Sequence, residues 1–127
     1  MPLRVGLFGG TFDPPHLGHL VTAVNLRHVL KLDIVVMMVA NDPWQKSGAR
    51  DVTTAEDRFA MVKAAVSVVD GVVAGRDEID RGGPSYTIDT VEALKATYPN
   101  DKIVLILGTD AHATIDQWHR ADELKKL

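Results

Sequence analysis

The chain has 127 residues, 46% hydrophobic and 24% charged, which suits one compact domain and excludes disordered and collagen-like classes. Seventeen acidic against fourteen basic residues leave a formal charge of −3, so no global basic field is offered to nucleic acid, although a local anion site is compatible with it. There is no cysteine, which excludes disulfides, thiolate metal sites and cysteine nucleophiles. The longest apolar run, residues 34–40, is too short to span a bilayer, and the N-terminus turns directly into a strand pattern without a signal peptide. A cytoplasmic location, away from membranes, is the expectation.

In chain order, Arg4 to Phe8 is short and apolar and runs into Gly9-Gly10, which predicts a buried strand. Leu17, Leu20, Val21, Val24 and then His28 or Val29 mark one face of a first helix. Residues 34–40 (IVVMMVA) form a second strand, followed by a polar loop over residues 41–51. Thr53 with Glu56, or Thr54 with Asp57, can cap a second helix whose apolar face is Phe59, Val62, Val66 and Val69. Val72-Val73-Ala74 is a weaker strand candidate, and residues 78–85 (EIDRGGPS) are expected to be an irregular loop. Ile88, Val91, Leu94 and Tyr98 mark a third helix, ended by Pro99-Asn100-Asp101. Residues 103–107 (IVLIL) are a last strand.

Continuous apolar strands alternating with helices predict a parallel sheet covered on both faces, in a doubly wound α/β fold. In such sheets ligands sit beyond the carboxyl ends of the strands, near the topological switch point. This directs attention to residues 9–19, 41–50, 80–87 and 108–118.

The richest of these is Gly9-Gly10-Thr11-Phe12-Asp13-Pro14-Pro15-His16-Leu17-Gly18-His19. Glycines after a buried strand let a ligand approach the backbone and its N–H groups. Pro14-Pro15 leads into a helix, and His16 and His19, three apart in its first turn, share a face where the helix end adds positive character. Gly18 removes a side chain where a ligand must pass. Backbone amides, a helix N-terminus and two imidazoles together describe a polyphosphate cradle. It is neither a P-loop nor a G-x-G-x-x-G fingerprint. Asp13, His16 and His19 are also three zinc-type ligands within seven residues, but that alternative leaves the prolines and glycines without a purpose.

The segment resembles the signature of the nucleotidyltransferase superfamily that carries a His/Thr-x-Gly-His motif, here His16-Leu17-Gly18-His19. More narrowly, the chain is similar to the bacterial nicotinate-nucleotide adenylyltransferases. Pro43-Trp44-Gln45-Lys46, Glu56-Asp57-Arg58, residues 79–90 (IDRGGPSYTIDT), Gly108-Thr109-Asp110-Ala111 and Gln117-Trp118 match that family in order and spacing. The resemblance implies a Rossmann-like nucleotidyltransferase fold over residues 1–127 as a single domain. It also implies adenylyl transfer from ATP to nicotinate mononucleotide, giving nicotinate adenine dinucleotide and pyrophosphate. The family's pattern continues past Leu127 with a further strand and an Ile-Ser-Ser-Thr-x-x-Arg motif, so the domain is expected to be C-terminally incomplete relative to the family. Two alternatives therefore stand beside this function: an acceptor other than nicotinate mononucleotide (the amide mononucleotide or pantetheine phosphate), and a nucleotide-binding form without turnover.

The residue types fit that chemistry. In-line adenylyl transfer is catalysed by positioning and by stabilising spread negative charge. His16 and His19 would donate to ATP phosphates, Gly9 and Gly10 with Thr11 and Phe12 would line the cradle with backbone amides, and Lys46 would close over it as a cation, against the alternative of a solvated loop lysine. Gly108 would let the nucleotide approach, and Asp110 would accept from ribose hydroxyls unless it caps a helix. The resemblance places the nicotinate ring between Ser85-Tyr86-Thr87 and Trp118. Helix amides near Thr87 would receive its carboxylate, and the indole would stack on the pyridinium unless it serves ordinary packing. Mg²⁺ is expected to arrive with ATP, with no protein ligand assigned. Arg58 and Asp80-Arg81 are expected to form ion pairs, His28, His112 and His119 to be structural or exposed, and Arg50 is undecided. ATP and nicotinate mononucleotide are the expected partners, nucleic acid and membranes are not, and homo-oligomerisation is left open.

Overall fold

The structure is a computed structural model that describes residues 3–41, 53–83, 86–107, 116, 118 and 120–122. Four strands, β1 (Arg4–Gly10), β2 (Ile34–Val39), β3 (Val72–Gly75) and β4 (Lys102–Ile106), form one parallel sheet in the order β3-β2-β1-β4. Helices α1 (Leu17–Val29), α2 (Ala55–Val66), α3 (Asp77–Arg81) and α4 (Thr87–Thr97) connect them. The weak strand candidate at Val72 is real, and pairs with β2 from Val35↔Val72 to Met38↔Gly75.

The uninterrupted apolar strands are explained by two separate cores. Val35, Met37, Val39 and Ile106 face α1 and α2, where they join Ala23, Val62 and Val66. Their neighbours Leu7 and Met38 face the other way, onto Ile88, Val91 and Leu94 of α4, with Ile103 and Leu105 packed against them. Side chains alternate across a strand, so both faces are apolar only because both are covered. Each fully buried aliphatic side chain contributes about 1.5–3 kcal/mol.

Three expectations are corrected. The expected apolar stripe of α1 is covered only in part: Leu20 and Val24 pack on the core as expected, whereas Leu17, Val21 and His28 or Val29 do not. Leu17 and Val29 are 73% and 74% exposed, His28 is also exposed, and the residue the expected stripe omitted, Ala23, is fully buried between Leu20 and Val24. These three lie at i, i+3 and i+4, one turn-aligned face, and Ala23 is small enough to bring the helix backbone close to the sheet. The expected loop over residues 78–85 begins as α3, whose Asp77, Glu78 and Asp80 favour a helix start, and Gly82 at φ +74° ends it. Tyr98 is the half-exposed residue after α4 rather than part of its buried face. For α2, Thr54 is the cap, its hydroxyl accepting from the Asp57 amide at 3.4 Å.

Candidate active site

The chain steps outward from β1 to β2 and β3, then crosses back to place β4 on the other side of β1. The switch point thus lies between β1 and β4. The two ladders of β1 end at different heights: pairing with β2 runs to Gly10↔Val39, while pairing with β4 runs only to Phe8↔Ile106. Gly9 and Gly10 are therefore the last residues of the strand, not a turn after it, and beyond Phe8 their β4-side edge carries no ladder partner among the described residues.

The turn that follows is set by Phe12. Its φ is +51°, a left-handed conformation uncommon for a non-glycine residue, and its ring is buried at 4% exposure, edge-on to Phe8 at 5.8 Å and to His19 at 4.9 Å. Folding the ring back under the turn compensates for the backbone conformation. It also explains Gly10, where a Cβ would meet the Phe12 ring at 3.0 Å. At Gly9 a Cβ would meet no atom of the described residues within 4 Å.

His16 is the N-cap of α1 and His19 its third residue. Their rings stack with centroids 3.7 Å apart at 21°, so they converge rather than face apart. The His16 amide donates to Nδ1 of His19 at 3.0 Å. A neutral His19 therefore carries its ring proton on Nε2, as a donor. Gly18 is explained by the pair itself: a Cβ there would lie 2.9 Å from Cε1 of His16. The glycine makes room for the His16 ring, rather than for a passing ligand as expected from the sequence.

Beneath the turn lies Arg58, on α2 and 1% exposed. Its Nη1 donates to the carbonyls of Thr11 at 3.0 Å and Ala40 at 2.6 Å, its Nη2 to Asn41 at 3.0 Å, and its Nε to Thr53 at 2.7 Å. Asp13 accepts from the Thr53 amide at 2.9 Å. Burial pulls the Arg58 guanidinium below the usual arginine value, and the Asp13 carboxylate pushes it back up. The expected ion pairing is thus replaced by capture of four main-chain carbonyls, with Asp13 acting through its charge. Sequence reasoning missed this role. The available signal was position: Arg58, Val62 and Val66 are successive fourth residues on the buried stripe of α2.

The other half of the site is the start of α4. Tyr86 is its N-cap and Thr87 its first residue, as expected. The Tyr86 carbonyl accepts the Asp89 and Thr90 amides at 3.1 and 3.4 Å, which is the ordinary first turn. One turn in, the wholly buried Thr90 hydroxyl donates to Glu78 of α3 at 2.5 Å and accepts from Arg81 at 3.2 Å. Trp118 packs against the core cluster beneath α4, with Tyr86 beside that same cluster. Arg120 pairs with Glu92 at 2.6 Å and Asp89 at 3.6 Å, holding the segment around Trp118 to the helix. Of the residues expected to pair, Asp80 does so with Arg76 at 2.9 Å, while Arg81 bonds the Thr90 hydroxyl.

Gly9, Gly10, Thr11, Phe12, His16, Gly18 and His19 thus gather at the end of β1, and Tyr86, Thr87 and Trp118 on the α4 side of the sheet. Lys46, Arg50, Ser85, Gly108, Asp110, His112 and His119 lie outside the described residues. Among the described residues, Asp13, His16 and His19 do not assemble into a metal-ligating group of three. No helix among them is long and apolar enough to cross a membrane.

The chain is similar to several known proteins. The chain is 45% identical, over 98% of its own length, to a Shouchella clausii protein named a probable nicotinate-nucleotide adenylyltransferase, of which it covers 64%. It is 46% identical, over 95% of its length, to a protein of the same name from Methylibium petroleiphilum, of which it covers 56%. The chain therefore spans less than two thirds of these relatives. A solved Vibrio parahaemolyticus structure matches with a TM-score of 0.81 at 21% identity, covering 99% of this chain and 69% of that one. Plasmodium falciparum nicotinic acid mononucleotide adenylyltransferase complexed with NaAD matches at 0.79 and 16%, covering 96% and 60%. At these identities the two structures bear on the fold, which they share. The profile of one family, described as cytidylyltransferase-like, matches residues 7–127, and the chain belongs to that family.

Proposed function

We propose that this chain serves adenylyl transfer from ATP to nicotinate mononucleotide, yielding nicotinate adenine dinucleotide and pyrophosphate in NAD biosynthesis, in the cytoplasm. The observation that carries the proposal is the stacked His16–His19 pair beside the β1 edge beyond Phe8, at the switch point of the sheet. The names of its relatives support the choice of acceptor.

In this reading the 5′-phosphate of the mononucleotide attacks the α-phosphorus of ATP in line. A phosphoanhydride bond forms as the bond to the β-phosphate breaks, and pyrophosphate leaves. No covalent enzyme intermediate is needed, so the protein's task is orientation and charge stabilisation. His19 donates from Nε2, His16 stands against it, and Lys46 adds a cation. Gly108 and Asp110 receive the nucleoside part. ATP arrives with Mg²⁺, held by phosphates and water. The first-turn amides of α4 receive the nicotinate carboxylate, with Ser85 and Tyr86 beside them and Trp118 offering a face to the pyridinium. That arrangement favours the acid over the uncharged amide.

A pyrophosphate-release assay tests this. Release from ATP is expected with nicotinate mononucleotide, and much less with the amide mononucleotide or pantetheine phosphate. Equal release with all three, or release independent of any acceptor, contradicts the assignment. ATP binding by calorimetry without turnover identifies a nucleotide-binding form instead.

A further inference from the structure

We propose that Arg58 is the positioning residue of the phosphate cradle, setting the direction in which the Thr11–Phe12 peptide presents its N–H to an anion. The inference rests on the reading of this site as a polyphosphate site, and on no assumption about the acceptor.

In a trans peptide the carbonyl and the following N–H point in opposite directions across one rigid plane. The Gly10 carbonyl is held by the Ala40 amide at 3.0 Å, so the Thr11 N–H is turned away from β2, toward the β4 side. The Thr11 carbonyl is held by Arg58 Nη1 at 3.0 Å, and the same nitrogen holds the Ala40 carbonyl at the end of β2. The Phe12 N–H is accordingly turned away from Arg58. Neither amide donates to a partner among the described residues. Two consecutive carbonyls drawn inward leave two consecutive amides directed outward beyond the β1–β4 ladder.

The guanidinium suits this task in two ways. It is planar with five fixed donors, and four main-chain carbonyls from three places converge on it: the turn, the end of β2 and the start of α2. A lysine ammonium has three donors and cannot serve four acceptors. The buried cation also polarises the Thr11 carbonyl, and hence the Phe12 N–H across the same peptide, toward a stronger hydrogen bond to an anion. Its positive charge thus favours the anion without touching it.

The test separates positioning from mere support. Arg58→Lys and Arg58→Gln are compared with the unaltered chain by thermal melting and by calorimetric titration with ATP, with inorganic pyrophosphate and with nicotinate mononucleotide. The expected result is a loss of roughly tenfold or more in affinity for ATP and pyrophosphate, with the mononucleotide affinity within about twofold, because the disordered amide faces only the polyphosphate. Unchanged affinities, or a parallel loss for all three ligands, overturn the proposal.

Should both variants fail to fold, amide NMR of the unaltered chain decides. Titration with pyrophosphate should move the Thr11 and Phe12 amides and the Arg58 Nε resonance along one binding curve. Saturation with pyrophosphate while these stay still, or no binding of pyrophosphate or ATP at all, overturns it. Failure of the adenylyl-transfer reading looks different: polyphosphate binding that depends on Arg58, without turnover of nicotinate mononucleotide, removes that reading and leaves this one standing. Turnover by Arg58→Lys with an unaltered KM for ATP does the reverse.

Discussion

The two halves of the site are built by different means. At the end of β1, one buried cation, Arg58, collects main-chain carbonyls, and in the proposed reading this turns the amides outward as the working parts. At the start of α4, the support is a side-chain chain, Arg81 to Thr90 to Glu78, that locks a five-residue helix onto the first turn of a longer one. The first arrangement fixes directions of individual peptides. The second fixes the placement of a whole helix end. The first half should therefore be sensitive in rate to sub-ångström changes, while the second should show its changes first in stability and substrate affinity.

The sharpest test of that contrast is His19→Ala. With ring and donor removed, kcat is expected to fall by roughly 10²–10³ in steady-state assays. A change below about threefold would take His19 out of the mechanism and leave the β1 side no more rate-sensitive than the α4 side. Next comes Gly18→Ala. The added methyl collides with the His16 ring, so kcat/KM should drop by roughly ten- to a hundredfold with little change in melting temperature. A fall in stability instead would mean that the glycine serves helix packing.

On the α4 side, Thr90→Val keeps shape but removes the hydroxyl between Glu78 and Arg81. It should cost about 1–3 kcal/mol by denaturant unfolding, and raise KM for nicotinate mononucleotide more than it lowers kcat. A pure kcat effect would erase the distinction between the two halves. Smallest is Trp118→Ala, for which a loss of about 0.5–2 kcal/mol in pyridine-nucleotide binding is expected, with ATP affinity unaffected. Equal losses for both nucleotides would assign the indole to the core cluster it packs on.

The fold was readable because its signals are local. Apolar runs such as residues 34–40 and the His16–His19 spacing need no knowledge of distant neighbours. The errors arose where a face is chosen by the partner. Leu17, Val21 and Val29 fit the helical period as well as Leu20 and Val24 do, and only the sheet decides that Leu20, Ala23 and Val24 are the ones covered. The site was legible in part for the same reason. The glycines and histidines that suggest an anion site do gather at the end of β1, yet Gly10 and Gly18 face the Phe12 and His16 rings, which occupy the space of their missing side chains.

From the amino-acid sequence alone come the parallel α/β architecture, the strands and main helices, and the concentration of chemistry in the segment after β1, because periodicity, turn residues and short motifs act within a few residues of themselves. Tertiary structure alone decided that Arg58 collects the carbonyls of Thr11, Ala40 and Asn41, and that Glu78 meets Thr90. Each of these hydrogen bonds joins groups 12 to 47 positions apart. Such closeness is a property of the packed sheet, and residue spacing does not contain it.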